Sequence, residues 1–290
     1  MEPEPNPPGG ATPEQHPAWR RVLLARHAKR PHSLDYIQRL FTNFHELHGD
    51  RAFGDDHAIV AGMGWLDGKP VMVVAQEKGR DTKQKILRNF GCPRPEGYRK
   101  SMRLMELAAK FNRPIITFLD TQGAWPGKDA EERGQGEAIA HNLREMSRLS
   151  VPVIVVVIGE GGSGGALALG VGNRIYMMEN AVYSVISPES CAAIIYRDSG
   201  KAPQAAAALK MTAPDLLDLG LIDGIVPEPG EGAHTNPENA ADALGVVLRE
   251  ALNELSGMSP RELIDDRYDK FRRMGSFFTD APVLEGFSEG

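Results

Sequence analysis

The sequence predicts an α/β protein in which helices cross between parallel β-strands. Two units of the chain share the same order of an apolar strand, a glycine-rich turn and a helix. The first runs from Ile115–Leu119 into Asp120–Gly127, and the second from Val153–Ile158 into Gly159–Gly165. A return to the same sheet in parallel needs a crossover helix, so both turns are expected at one edge of the sheet. Ligands bind at that edge in α/β proteins.

The chain before these units combines a helix with a β-hairpin. Ser33 is the predicted N-cap of a helix whose apolar side chains recur at helical spacing as far as Leu47. Two strand candidates, Ala58–Gly64 and Val71–Ala75, flank Asp67-Gly68, a dipeptide typical of tight hairpin turns. This part of the chain is therefore expected to add a hairpin to the parallel strands.

The rest of the chain continues the alternation of helices and strands. Its patterns predict three long helices at 96–111, 131–149 and 237–255. They also predict two short strands at 175–178 and 183–186, and three short helical segments at 188–196, 203–210 and 214–219. A last helix begins with a capping box of Ser259 and Glu262 and ends at Gly275. Its apolar side chains Leu263, Tyr268 and Phe271 fit docking on the core or on another chain.

Composition limits the organisation and the partners. A chain of 290 residues that is 41% hydrophobic can bury a full core. We predict a disordered proline-rich arm over 1–17, a core domain over 18–256 with N-terminal helices, and a C-terminal helix and tail over 257–290. The net charge of −6 argues against nucleic acid. The longest apolar run is too short to span a membrane. The chain has only two cysteines, and its acidic N-terminus is unlike a signal peptide, so we expect a cytoplasmic protein.

The cluster Gly159–Gly165 is the most informative motif. It holds five glycines in seven residues directly after a buried strand, a composition that lets a ligand approach bare backbone. If a helix begins at Gly164 or Gly165, its first amides have no acceptor within the helix and can donate to negative charge. That charge belongs to a phosphate, an acyl oxyanion or an enolate, and the motif alone does not choose among them.

A dinucleotide site is the main alternative for this cluster. Gly159, Gly161 and Gly164 satisfy the G-x-G-x-x-G pattern, and Glu179 imitates the acid that binds the ribose. We favour it less because the pattern lies past the middle of the chain. In addition, only about ten residues separate the glycine cluster from the next strand, too few for the usual crossover helix. Glu160 would also place a carboxylate in the phosphate loop. This alternative would make the chain a nucleotide-binding or scaffold module.

Three further motifs are incomplete. Gly123–Lys128 is one residue too short for a P-loop. The stretch around Ser163 matches the nucleophile elbow of hydrolases, but His234 is the only later histidine that could serve as a base, so we favour a small residue at a crowded helix start. His45 and His48 lack the zincin spacing, and we predict no metal site.

The segment 78–103 is rich in basic side chains. It holds nine of them against Asp81 and Glu96. A solvated face is the favoured interpretation. The alternative is a landing surface for a phosphate-bearing substrate or an acidic partner.

Nine stretches of the chain, in the right order, share their sequence with one family. They are Ser33–Tyr36, His48–Ala52, Asn89–Gly91, Pro95–Lys100, Asp120–Gly127, Glu131–Gln135, Asn142–Ser147, Ile158–Ala166 and Ser184–Glu189. With them the chain resembles the carboxyltransferase α subunit of multi-subunit bacterial and plastid acetyl-CoA carboxylase, from about Trp19 to Gly275.

This resemblance implies a fold, partners and a reaction. The fold would be a crotonase-like (ClpP-like) spiral of ββα units with N- and C-terminal helical extensions. The partners would be a β subunit in an α2β2 heterotetramer, the biotin carboxyl carrier protein and biotin carboxylase, with zinc on the β subunit only. The reaction would transfer a carboxyl group from carboxybiotin, presented by the carrier, to acetyl-CoA, and no cofactor would be bound covalently to this chain.

The resemblance also assigns roles to residues. The backbone amides of Gly164 and Gly165 would form the oxyanion hole on the biotin side, with Gly161 and Gly162 shaping the loop. The substrate pocket would be lined by Gly123, Trp125, Gly127, Ser163 and Ala166. No side-chain base is needed, because the ureido nitrogen of biotin can accept the methyl proton.

The first turn departs from the family pattern. The family usually has Thr-Pro-Gly-Ala-Tyr-Pro-Gly, whereas Gln122 and Trp125 stand here in place of the proline and the tyrosine. Tryptophan keeps a flat aromatic wall with a polar edge, and glutamine frees φ. A stand-alone crotonase-type acyl-CoA enzyme is the second hypothesis, with Glu160, Glu131 and Glu132 as its candidate acids or bases.

Overall fold

Eight strands form one mixed sheet in the structure, a computed structural model that describes residues 16–275. The spatial order is β1-β2-β3-β4-β5-β6-β8, and β7 pairs with the far end of β5. The first three strands are antiparallel, and the pairings from β3 onward are parallel. The strands are β1 Thr42–Glu46, β2 Ile59–Leu66, β3 Lys69–Gln76, β4 Ile115–Thr121, β5 Val153–Gly162, β6 Arg174–Met178, β7 Val182–Ser184 and β8 Gly224–Val226.

Twelve helices surround this sheet within the described range. The helices are α1 Pro17–Ala25, α2 Ser33–Leu40, α3 Thr82–Leu87, α4 Pro95–Lys110, α5 Lys128–Glu132, α6 Gln135–Met146, α7 Ser163–Leu167, α8 Pro188–Ile195, α9 Ala202–Ala208, α10 Ala213–Asp218, α11 Pro237–Leu255 and α12 Pro260–Arg273. The first glycine turn connects β4 to α5, and the second lies where β5 meets α7. Among residues 16–275, none of these helices combines the length and apolar composition that crossing a bilayer requires.

The parallel centre of the sheet is the core of the protein. Every residue of β4 is buried, and β5 is buried from Val153 through Gly161. Strands covered on both faces lose the alternation of apolar and polar residues, which explains the continuous apolar run in β5. Because β3, β4 and β5 are parallel, their carboxyl ends meet at one edge of the sheet.

The hairpin and the C-terminal helix follow the sequence prediction. β2 and β3 pair around Asp67 and Gly68, and Ser259 caps α12 through a capping box. α12 docks on the core of its own chain, which settles the choice that its apolar pattern left open. The buried Arg267 fastens it by donating hydrogen bonds to the carbonyls of Met146, Leu149 and Val151.

Two helix predictions are wrong in their extent. α2 ends at Leu40, and Phe44 lies on β1 instead of a helix that continues to Leu47. Pairing of β1 with β2 overrides the helical spacing there. His32, not Ser33, occupies the N-cap position. The predicted helix over 131–149 is two helices, because Gly134 adopts a left-handed φ of 83° between α5 and α6.

The termini are only partly covered by the structure. Of the predicted arm over 1–17, residues 1–15 lie outside the described residues, and Pro17 is already the first residue of α1. The tail beyond Gly275 also lies outside them.

Candidate functional site

The two glycine turns pack backbone against backbone at the carboxyl edge of the sheet. A Cβ atom added to Gly165 would lie 2.3 Å from the amide nitrogen of Ala124 and 2.5 Å from the carbonyl carbon of Gly123. One added to Gly162 would lie 2.1 Å from the carbonyl oxygen of Gln122. These distances leave no room for a side chain, so the contact itself requires glycine. The predicted meeting of the two turns is confirmed.

The second glycine cluster differs in shape from the predicted loop. β5 continues through Gly162, and its last residues pair with β7. α7 therefore begins at Ser163, one residue before the predicted start, and Ser163 itself has a left-handed φ of 52°. Since Gly159 and Gly161 lie inside a strand, the turn that the dinucleotide pattern requires is not formed here.

The amides at the start of α7 have no internal hydrogen-bond acceptor, and Gly164 is half-buried whereas Gly165 is buried. None of the hydrogen bonds within residues 16–275 uses the N–H of Gly164 or Gly165 as its donor. Gly164 also has open space around it, since the nearest atom to an added Cβ is a methyl carbon of Ile139 at 3.7 Å. Two neighbouring donors without acceptors at the end of a buried strand are a place where negative charge can be stabilised.

An apolar groove of about 310 Å³ lies at the start of α7. Ser163 and Gly164 line it together with Phe271 of α12 and Met274, the residue that follows that helix. Its other lining residues are Leu167, Gly170, Ile175, Tyr183, Ser184, Val185, Leu216 and Leu221. Ala166, which the resemblance placed among the substrate contacts, is fully buried in the core. Its side chain therefore offers no surface to a ligand in this structure.

The turn after β4 is held by its aromatic residue. The guanidinium of Arg94 lies 4.8 Å from the centre of the Trp125 ring, and the carbonyl of Trp125 accepts a hydrogen bond from Gln135 at 3.0 Å. The indole folds back over Gly127, where an added Cβ would lie 2.4 Å from Nε1. Gly123 has a φ of 153°, which favours glycine. Trp125 thus forms a half-buried wall beside the first turn.

A fully buried glutamine, not considered in the sequence analysis, joins the two turns. The side chain of Gln76 donates to the carbonyl of Gly165 at 2.8 Å and accepts from the amide of Asp120 at 3.1 Å. Tyr98 adds a second donor to the same carbonyl at 3.3 Å. The only signal in the sequence is a polar residue at the end of a buried strand, which does not specify these partners.

Glu160 belongs to a buried ion network. Its carboxylate lies 2.7 Å from the ammonium of Lys78 and 2.6 Å from the guanidinium of Arg26, and Lys78 also contacts Asp120 at 2.8 Å. Burial acts to raise the pKa of Glu160, but the charges of Lys78 and Arg26 outweigh it and hold that pKa below its ordinary value. Glu160 is therefore a carboxylate with a structural role and is not suited to act as a general acid.

Removing the charge of Glu160 should lower stability. Glu160→Gln leaves the largely buried ammonium of Lys78 with Asp120 as its remaining carboxylate partner, and we expect a loss of roughly 3 kcal/mol in the free energy of unfolding near pH 7. Because the folded-state pKa lies below the ordinary value of 4.5, the stabilisation is present above that value and is lost as pH falls through the folded-state pKa. Denaturant unfolding at several pH values should show the difference between the two proteins shrinking below about pH 4.

A matched control is available on α5. Glu132 pairs with Lys128, and both side chains are exposed, so Glu132→Gln should change stability by less than about 0.5 kcal/mol. A Glu160 variant as stable as this control would contradict the structural role.

The favoured interpretation of segment 78–103 as a solvated face is wrong for most of its basic side chains. Seven of the nine make hydrogen bonds or ion pairs inside the chain, namely Lys78, Arg80, Arg88, Arg94, Arg99, Lys100 and Arg103. Lys83 and Lys85 are exposed and form no ion pair within the described residues. The acceptors of the other seven are mainly carboxylates and, for Arg88 and Arg103, backbone carbonyls. These acceptors lie mostly far away in sequence, which is why the pattern did not reveal them.

The structure does not complete the hydrolase or metal motifs. The hydroxyl of Ser163 makes no hydrogen bond within residues 16–275, and the ring centres of His234 and His27 lie 3.9 Å apart with their planes tilted by 36°. His48 lies 2.9 Å from Asp55. In the part of the chain that the structure describes, no group of three or more histidine, cysteine, aspartate or glutamate side chains is arranged to hold a metal ion.

Comparison with known proteins identifies the family. The model of the family described as acetyl co-enzyme A carboxylase carboxyltransferase-like matches residues 12–275. The acetyl-coenzyme A carboxylase carboxyl transferase subunit alpha of Geobacter metallireducens is 60% identical over 89% of this chain and 81% of its own length. The subunit of the same name from Bacillus cytotoxicus is 59% identical over 91% of this chain and 82% of its own length.

Solved structures of more distant proteins share the fold. Transcarboxylase 12S is 20% identical, with a TM-score of 0.65 over 80% of this chain and 44% of its own. A Pseudomonas malonate decarboxylase hetero-tetramer chain is also 20% identical, with a TM-score of 0.61 over 74% of this chain and 86% of its own. The fold is thus the crotonase-like fold of carboxyltransferases. Within that class, the chain belongs to the acetyl-coenzyme A carboxylase carboxyltransferase family.

Proposed function

We propose that this chain is the carboxyltransferase α subunit of a multi-subunit acetyl-CoA carboxylase. It would transfer the carboxyl group of carboxybiotin, presented by the biotin carboxyl carrier protein, to acetyl-CoA and release malonyl-CoA for fatty-acid synthesis. The observation that carries the proposal is the pair of neighbouring amides at Gly164 and Gly165 that have no acceptor within residues 16–275. Gly164 lies on the wall of an apolar groove, and Gly165 packs against the first glycine turn. Relatives 56–60% identical over about nine-tenths of the chain support it.

The two amides suit the charge that this reaction creates. Cleavage of the bond between the ureido nitrogen and the carboxyl carbon leaves its electron pair on the ureido group, with negative charge on the oxygen. Gly164 and Gly165 would donate to that oxygen, and one such fixed donor typically lowers the barrier by about 3 kcal/mol. The backbone contact between the turns fixes the donors before the charge develops.

The chain's own side chains leave proton transfer to the substrates. Glu160 is held as a carboxylate by Lys78 and Arg26, and the Ser163 side chain has no hydrogen-bond partner within the described residues. The methyl proton of acetyl-CoA would pass to the ureido nitrogen as the methyl carbon attacks the released carboxyl group. All atoms are then accounted for, and the biotin returns uncarboxylated to its carrier.

A second crotonase-fold subunit would complete the site. We propose a β subunit in an α2β2 heterotetramer that holds acetyl-CoA, its enolate and a structural zinc ion, with biotin carboxylase recharging the carrier. The fold neighbours support a multi-subunit arrangement, since one is a chain of a malonate decarboxylase hetero-tetramer and another belongs to a malonate decarboxylase hetero-dimer.

Reconstitution tests the proposed function. Malonyl-CoA formation from acetyl-CoA and carboxylated carrier protein should be measured with this chain alone, with the candidate β subunit alone and with both. We expect product only when both are present. Product from this chain alone would favour a stand-alone acyl-CoA enzyme, and no product from the mixture would contradict the proposal.

A further inference from the structure

Helix α3 and the turn after it form an exposed surface with an unusual composition. Every residue of α3 is exposed, and three large apolar side chains point outward, with exposed fractions of 62% for Ile86, 52% for Leu87 and 50% for Phe90. Lys83 and Lys85 lie on the same short helix. We define these five residues as the α3 surface. Exposed apolar side chains that cluster with charged ones are typical of interaction sites.

The backbone holds this surface outward at an energetic cost. Asn89, Phe90 and Gly91 adopt three successive left-handed conformations, with φ of 48°, 56° and 79°. A left-handed conformation in a residue with a side chain costs about 1 kcal/mol or more. Asn89 offsets part of this by donating to Asp56 at 2.9 Å and accepting from Arg94 at 3.3 Å. The turn thus keeps the aromatic ring of Phe90 half exposed, not folded into the core.

The charge of the α3 surface is positive and available. The neighbouring basic side chains Arg80 and Arg94 are neutralised by Asp35 and Asp129. Lys83 and Lys85 have no carboxylate within ion-pair distance among residues 16–275. The whole chain has a net charge of −6, so the charge of this patch is opposite in sign to the net charge of the protein. It is complementary to an acidic partner surface with an apolar centre.

The α3 surface lies beside the candidate site. It follows β3, whose carboxyl end is at the same edge of the sheet as the two glycine turns. The turn that holds Phe90 abuts the end of β4, because a Cβ added to Gly91 would lie 3.3 Å from the carbonyl of Asp120 and 2.6 Å from the side chain of Lys78. A protein bound here would sit close to the free amides.

We propose that the α3 surface docks the protein that carries the biotin group, through an acidic, partly apolar patch on that protein. This inference rests on the proposed function. A carrier has to bind and leave in each cycle, and three apolar side chains with two lysines suit the small interface of a transient complex. A tightly bound subunit would need a larger and more apolar contact.

The test compares biotin on its carrier with free biotin, both as acceptors of the carboxyl group from malonyl-CoA in the assembled complex. The variants are Lys83→Glu with Lys85→Glu, and Leu87→Ser with Phe90→Ser. We expect kcat/KM for the carrier to fall at least about tenfold while the rate with free biotin stays within about twofold. The loss from the lysine variant should shrink as salt increases.

A matched control lies at the opposite edge of the sheet. Lys110 and the exposed Phe111 lie at the end of α4, just before the amino end of β4, so Lys110→Glu with Phe111→Ser makes one change of each kind away from the site. This control should leave the rates with both acceptors unchanged.

The outcomes separate the two proposals. Equal losses with both acceptors, or no loss with the carrier, would overturn docking at α3 while leaving the proposed function in place. No transfer to either acceptor by the unmodified complex would overturn the proposed function, and the docking proposal with it.

Discussion

Gly165→Ala should reduce carboxyl transfer by roughly 10²–10³-fold, the effect expected when one fixed donor of an oxyanion hole is lost. The added methyl group would meet the backbone of Gly123 and Ala124 at 2.3–2.9 Å. Backbone cannot yield as the end of a flexible side chain can, so the two turns must separate and the amide of residue 165 must move. The measurement is kcat for malonyl-CoA formation by the assembled complex.

Gly164→Ala is the matched control for this change. Its added methyl group would have 3.7 Å of clearance to Ile139, so the turn and both amides keep their positions. We expect this variant to fold normally and to lose less than about tenfold in kcat. A Gly165→Ala protein that folds, assembles and works within about fivefold of the unmodified protein would contradict the assignment of its amide.

Gln76→Leu should give the second large effect on activity. The change keeps most of the side-chain volume but leaves the carbonyl of Gly165 and the amide of Asp120 without their shared partner. We expect kcat to fall roughly tenfold to a hundredfold because the turn loses its fixed orientation. The KM for acetyl-CoA should not change, since Gln76 is fully buried. The free energy of unfolding should fall by about 2 kcal/mol.

Tyr98→Phe provides the comparison for Gln76. It removes one weaker hydrogen bond, of 3.3 Å, to the same carbonyl, and its effect on kcat should stay below about threefold. The assay should be run at a temperature where each variant is fully folded. A Gln76 variant that loses stability but keeps kcat would show that the residue supports the fold without positioning the site.

The sequence predicted the parts of the fold that local chemistry determines. Apolar runs identify β4 and β5, glycine and aspartate identify the hairpin turn, and Ser259 with Glu262 identifies the start of α12. The error at Phe44 arose because the spacing of its apolar neighbours is compatible with a helix, whereas pairing with β2 decides for a strand. The break at Gly134 depends on a single left-handed residue that periodicity does not detect.

The candidate site was predictable in its backbone but not in its supporting side chains. The glycine pattern places the two turns together, because only glycine permits such close backbone contact. The partners of the Gln76 and Lys78 side chains lie 42 to 89 positions away in sequence, so no local pattern reveals them. Glu160 was a candidate acid or base because its ion-pair partners Arg26 and Lys78 are also distant in sequence and could not be predicted. The roles of Gly164 and Gly165 in catalysis remain predictions.

The most direct test of the shared site is the reverse reaction, acetyl-CoA release from malonyl-CoA with and without free biotin. It should be run with this chain, with the candidate β subunit and with both. We expect release only from the mixture and only when biotin is present, and the loss of that release in the Gly165→Ala complex. Biotin-independent release by this chain alone would contradict a shared site, because the chain would then be a complete decarboxylase without a partner.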